Sequence, residues 1–181
     1  MDSPATFSIP RIRTARLLLR EHRIADFEHF AAEVSDPVSR AAPNGVMDRR
    51  TAWRSFVTGI GAWALHGAGW WCVELASTGE FVGTVGAFYR ENAIGGDGPP
   101  ELEMGWLIFR KHWQQGVATE AATAALSHAF AAHAVKHAVA HISATNEPSI
   151  RVATRLGMNH DRDVDFYGDP MRRYIVHRSH G

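Results

Sequence analysis

Trp113-Gln114-Gln115-Gly116-Val117-Ala118-Thr119-Glu120-Ala121 joins the end of an apolar, strand-like run to the start of an alanine-rich helix. A strand-to-helix junction with Gly116 and the small Ala118 in its first turn lets backbone N–H groups approach an anion closely. The positive end of the helix dipole favours the charge. The backbone of Gln114, Gln115, Gly116, Val117, Ala118 and Thr119 therefore reads as a cradle for a pyrophosphate. Alone, the stretch fits a tight turn with helix-packing alanines equally well, so its surroundings decide. Downstream, Ala118, Ala121, Ala122, Ala125, Leu126, Ala129 and Phe130 recur on one helical face, which predicts a helix lying flat on a sheet.

Upstream of the junction the pattern changes to period two. Three antiparallel strands are expected near 69–75, 80–90 and 101–109, with Ser77-Thr78-Gly79 as a hairpin turn and a Gly- and Pro-rich connection from Asn92 to Pro100. Earlier still, a strand over 13–21 holds Leu17-Leu18-Leu19, and Asp26 is placed to cap a helix bearing Phe27, Phe30, Ala31 and Val34. Asp36-Pro37 breaks that helix and a polar stretch runs through Pro43-Asn44-Gly45. Asp48 then caps a second helix carrying Trp53, Phe56, Val57 and Ile60. Beyond the junction come a strand near 137–143, a helix over 147–156 ended by Gly157, and a hairpin through Gly168-Asp169-Pro170. About seven strands and four helices in alternation predict an α/β (α+β) layer fold.

Composition sets the limits. A chain of 181 residues, 45% hydrophobic, suits one compact domain over 1–181. Lys plus Arg equals Asp plus Glu at 19 each, so no bulk basic field recruits nucleic acid or an anionic membrane, and any anion site is local. The single cysteine, Cys72, excludes an internal disulfide, and its neighbours Trp70, Trp71 and Val73 mark it as a buried thiol. Met1 to Pro10 shows no signal pattern and no apolar run approaches a membrane span, which predicts a cytoplasmic protein.

Three segments in order resemble the GNAT superfamily of acetyl-CoA-dependent N-acetyltransferases, and within it the RimJ/RimL-type branch. They are Thr14-Ala15-Arg16-Leu17-Leu18-Leu19-Arg20 with Asp26, Glu103-Met104-Gly105-Trp106 with the cradle ending at Ala121, and Asn146-Glu147-Pro148-Ser149-Ile150-Arg151 continuing to Arg155-Leu156-Gly157-Met158. The resemblance implies a single mixed, mostly antiparallel sheet whose two central strands splay apart, with acetyl-CoA as co-substrate and an amine acceptor. Leu107 and Ile108 would pair with the pantetheine amides in strand-like fashion, and a backbone N–H near Ile108 would stabilise the oxyanion. Two departures stand out. Trp113 occupies a position where the superfamily prefers Gln or Arg, which the RimJ/RimL-like branch tolerates, and Arg110 stands where proline is frequent.

Amide formation needs a neutral amine, and for a lysine-like amine near neutrality the deprotonation deficit is roughly 4 kcal/mol. Glu103, sharing a strand face with Gly105 and Leu107, is the expected base, with Glu101 in reserve. The competing reading is a strand glutamate facing solvent or paired with an arginine. Many GNAT enzymes place a tyrosine where Ala153 stands, and the RimL-like resemblance offers Ser149 as donor to the departing thiolate. Ser149 could equally cap its own helix, and Asn146 could either contact pantetheine or serve the helix-entry turn.

His137 and His141 have metal-ligand spacing, but on a strand this does not bring ligands together, so no metal is expected. Trp70, Trp71, Phe88 and Tyr89 read as core before acceptor pocket. Function then divides between a catalytic N-acetyltransferase and a CoA-binding scaffold without turnover. Glu103 favours the enzyme. A protein N-terminal amine competes with amino acids, polyamines or aminoglycosides as acceptor, and a homodimer is left open.

Overall fold

A computed structural model describes residues 7–39, 45–96 and 98–178. The chain runs β1 (Ile12–Arg13), β2 (Leu17–Arg20), α1 (Phe27–Ser35), α2 (Arg49–His66), β3 (Gly69–Leu75), β4 (Phe81–Tyr89) and β5 (Leu102–Ile108). It continues with α3 (Val117–Ala132), β6 (His137–Ile142), α4 (Glu147–Arg155), β7 (Asn159–Phe166) and β8 (Asp169–His177). Eight strands form one sheet in the order β1-β2-β3-β4-β5-β6-β8-β7. Every neighbouring pair is antiparallel except β5 with β6.

The eighth strand is β1, which sequence patterning merges with the following strand. Ile12 and Arg13 pair back on Leu19 and Leu18, so the expected strand over 13–21 is two short strands around a turn. The last hairpin is also tighter than expected. Tyr167 and Gly168 carry its positive φ values, while Asp169 and Pro170 already belong to β8. Pro43 and Asn44 of the polar stretch lie outside the described residues.

Alternation along the strands sorts the core. Leu17, Leu19, Trp71, Val73, Val85, Leu102 and Met104 share a cluster with Ala121, Ala122, Ala125, Leu126 and Ala129 of α3. Alanines at helical spacing let α3 approach this face of the sheet closely, and burial of Leu17 and Leu19 stabilises by roughly 1.5–3 kcal/mol each. The opposite face is only partly covered. Phe27, Phe30 and Val34 of α1 and Phe56 of α2 enclose Cys72, Phe81 and Phe109 there. Asp48 caps α2 as expected, accepting the Thr51 N–H at 2.7 Å. The buried face of α2 differs from expectation: Ala52, Phe56, Gly59 and Trp63 point inward, leaving Trp53 and Val57 exposed. Asp26 is no simple cap either. Its carboxylate accepts from Arg20 and from the Arg23 N–H, across a 3-10 turn over Ile24–Asp26.

The feature that positions the site is a break in the sheet. Strand β5 pairs with β4 over its whole length, from Leu102↔Tyr89 to Ile108↔Gly83. On its other side the register with β6 holds one partner, Glu103↔Val139. From Gly105 onward β5 has no register partner on β6, in keeping with the splayed arrangement.

Candidate active site

One end of the gap is the junction after β5. Gln114 (φ 60) and Gly116 (φ 78) are both left-handed, which turns the chain sharply so that Gly116 opens α3 without a side-chain cap. A side chain at Gly116 would be strained there, and its Cβ would meet Arg16 Nη2 at 3.3 Å. The first helical hydrogen bond runs from Glu120 N–H to Gly116 O, so the N–H groups of Val117, Ala118 and Thr119 have no partner within the helix. Val117 contributes backbone only, because its side chain is in the core. Gln115 donates from Nε2 to Lys111 O at 3.1 Å and braces the loop.

Sequence reasoning passed over one residue here. Arg16, read as part of the opening strand motif, donates to the Gln115 carbonyl (3.0 Å) and to Glu120 Oε2 (2.7 Å) beside the cradle. Glu120 also accepts from Thr14 Oγ1 and from Arg16 N–H. Partial burial would raise its pKa, but Thr14 and Arg16 outweigh this and hold it below the ordinary carboxylate value. Arg16 therefore neutralises the one acid in the first turn of α3, so that an anion on the cradle meets no net negative charge there. The signal was present as an arginine far from the cradle in sequence, with nothing local to link them.

Along the gap, Trp113 Nε1 donates to Ile108 O at 2.6 Å, so that carbonyl is already engaged. Leu107 pairs with Thr84 in register and its half-buried side chain packs toward α1 and α2. The bare Gly105 and its neighbour Trp106 lie at the same open edge.

The two faces of the gap differ in chemistry. On the α3 face, Trp106 Nε1 donates to Ser149 Oγ at 3.3 Å across to α4. A hydroxyl that accepts this bond keeps its own hydrogen free to donate. Asn146 begins α4 by accepting the Ser149 N–H on Oδ1 at 3.2 Å. Ala153 is buried against the core.

On the other face, the half-buried Trp70 lies across Gly86 and Gly105, which are paired in register. A Cβ at either glycine would come within 2.6 Å or 2.5 Å of the indole. Trp70 stacks on Phe88 with centroids 5.1 Å apart; Phe88 and Trp71 are buried, as expected, while Trp70 and Tyr89 are half-buried. Beside this aromatic floor Glu103 is buried and receives two hydrogen bonds from Arg90, at 2.5 and 2.9 Å. The Arg90 guanidinium lies over Phe88 and Phe166. His141 Nδ1 approaches Glu103 Oε2 at 3.4 Å. Burial would raise the Glu103 pKa, but His141 and Arg90 more than offset it and hold the carboxyl below its ordinary value. Glu101 sits one step along the same face, bonded to Arg173 at 2.5 Å and His137 at 2.8 Å. Its pKa is likewise lowered by these partners against burial. Among the described residues no group of three or more His, Cys, Asp or Glu is arranged to hold a metal ion, and no helix is long and apolar enough to cross a membrane.

Residues 16–159 match the family model described as acetyltransferase (GNAT) domain. The uncharacterized protein YkkB of Bacillus subtilis is 31% identical over 109 residues, which is 60% of this chain and 61% of that protein. The crystal structure of the acetyltransferase from Agrobacterium tumefaciens aligns over 98% of this chain and 100% of its own, at 29% identity and a TM-score of 0.82. Mycobacterium smegmatis RimJ, in complex with CoA-disulfide, aligns over 89% of this chain and 81% of its own, at 22% identity and a TM-score of 0.69. At that identity the likeness to RimJ is one of fold.

Proposed function

Since this chain belongs to the acetyltransferase (GNAT) domain family and is an acyltransferase, we propose that it moves the acetyl group of acetyl-CoA onto a primary amine by direct attack in a ternary complex. One observation carries the reading. The gap between β5 and β6 opens beside the backbone cradle at Gly116, with Ser149 on one face and the Glu103 cluster on the other. Pyrophosphate would lie on the N–H groups of Gln114 to Thr119, near Arg16, and pantetheine would follow the β5 edge toward Gly105. Leu107 and Ile108 supply that edge, with Trp113 moving off the Ile108 carbonyl as the pantetheine amide replaces it. Asn146 holds α4 so that Ser149 faces the leaving sulfur. Glu103 supplies the negative charge toward which the ammonium proton moves. The whole of 1–181 would act as a single domain in the cytoplasm, where Cys72 stays reduced.

The acceptor is a lone amine beside an apolar group, such as the α-amine of a protein N-terminus, as in the RimJ/RimL-type branch. The floor of Trp70 and Phe88 favours that class. Polycations are disfavoured because Glu103 and Glu101, the carboxylates nearest the gap on this face, are each already matched by an arginine. An α-amine also needs less help to lose its proton than a lysine amine does.

Calorimetric titration of acetyl-CoA is the test. Saturable binding is expected for the wild type and its loss for folded Gly116→Glu, which adds bulk and charge to the cradle. Absence of binding to the folded wild type would overturn the reading.

A further inference from the structure

His141 is buried beside Glu103 with its ring poorly answered. Its side chain is 2% exposed, Nδ1 lies 3.4 Å from Glu103 Oε2 without a well-formed hydrogen bond, and Nε2 has no partner. A buried polar atom left unpaired costs about 1–3 kcal/mol, so its retention calls for a use. Continuing the parallel register from Glu103↔Val139 sets His141 level with Gly105, where the strands part. The groups around it are few. Glu103 faces Nδ1 from β5, Arg90 reaches in behind Glu103, and Phe166 of β7 covers the ring at 5.4 Å. Arg173, its register partner on β8, is committed to Glu101 and Asp161.

We propose that His141 Nε2 is the atom that receives the amine proton, and that Glu103 is a positioning residue that acts through it. This rests on the acetyltransferase reading above and changes who holds the proton. A carboxylate gripped twice by an arginine and held below its usual pKa is a weak proton acceptor. It is well suited to fix an imidazole with hydrogen on Nδ1, leaving the Nε2 lone pair free. The steps balance. Nε2 takes one proton from R–NH3+, and the neutral nitrogen attacks the thioester carbonyl carbon. The C–S bond breaks with its electron pair on sulfur, and the second proton leaves nitrogen for the CoA thiolate by way of Ser149 or water. The imidazolium, buried here, returns its proton through a water admitted along the gap as the products leave.

Two measurements test this. In wild-type protein labelled with 15N on its histidines, His141 is expected as the Nδ1–H tautomer with a bare Nε2; the Nε2–H tautomer overturns the proposal and needs no turnover to be seen. The second is steady-state kinetics of His141→Ala with acetyl-CoA and tripeptide amides bearing a free α-amine. A kcat loss of about 100-fold is expected, with calorimetric affinity for acetyl-CoA kept, and with partial rescue by added imidazoles that strengthens with imidazole basicity. Full kcat in the folded variant, or a loss that imidazoles leave untouched and His141→Asn restores, overturns it. If the wild type binds no acetyl-CoA and acetylates no amine, the acetyltransferase reading itself falls, which is a different outcome from an active wild type with an indifferent His141.

Discussion

Two buried arginine–carboxylate clusters lie on the same face of this sheet, and they are built to opposite standards. Around Arg20 every nitrogen is answered. Nε bonds Glu74 at 2.5 Å, Nη1 bonds Asp26 and the Glu21 carbonyl, and Nη2 bonds the second Asp26 oxygen. Asp26 in turn accepts from Arg23 N–H, and the Cys72 thiol lies 3.6 Å away. Burial, with Asp26 beside it, pushes the Cys72 thiol far up, so it stays protonated and inert. Around Arg90 the carboxylate is answered, but His141 beside it has both ring nitrogens unpaired, whereas beside the first cluster His22 leaves one buried nitrogen, Nδ1, unpaired. A closed network of this kind locks one backbone arrangement. An open one at a gap in a sheet keeps unspent hydrogen-bonding capacity, and that capacity is available to a substrate.

The contrast can be broken by stability measurements. Asp26→Asn should have the largest effect, about 3–5 kcal/mol lost in urea or thermal unfolding, because it takes from the buried Arg20 the carboxylate that answers two of its nitrogens and leaves Glu74 to balance the charge. Its pH dependence follows in sign. Although burial would raise the Asp26 pKa, its bonds to Arg20 and Arg23 lower it in the fold. The stability it contributes is complete above the ordinary aspartate value of about 4, and is lost as pH falls through the folded value. Unfolding profiles of wild type and Asp26→Asn should therefore converge in acid.

Glu103→Gln should cost less stability, about 1–2 kcal/mol, since the Arg90 side chain is 28% exposed and can turn to water. The same change should lower kcat by at least about 10-fold while acetyl-CoA binding persists. Equal stability losses for Asp26→Asn and Glu103→Gln would erase the distinction between the clusters. Arg90→Lys should be the mildest, within about 1 kcal/mol in stability and a few-fold in kcat, because it keeps the charge and gives up only the paired geometry.

Much of the fold was legible because its signals are local. The strands at 69–75, 81–89 and 102–108 fall within a residue or two of where alternation placed them, and α3 follows its alanine spacing. The separation of β1 from β2 was not legible, since two residues carry no period. Nor was the inward face of α2, where Gly59 turns in with the Trp70 Cβ and the His22 ring pressed against it. At the site, a glutamate on the right strand face could be named, but its pairing with Arg90, 13 residues away, is a register property of β4 and β5. The same holds for Arg16 at the cradle and for His141 opposite Glu103. Each depends on which strands become neighbours, and that information is spread over the whole chain.

The one-residue seam between β5 and β6 has a consequence for how the molecule holds together. Five strands, β1 to β5, and three, β6 to β8, are stitched by backbone at little more than a single point, so side-chain bonds such as Arg173 to Glu101 carry much of the join. A bound pantetheine chain would act as an interstitial ninth strand, sewing the two ribbons into one cooperative body. Amide exchange in β6 should then slow when the co-substrate arrives, far beyond the atoms it touches.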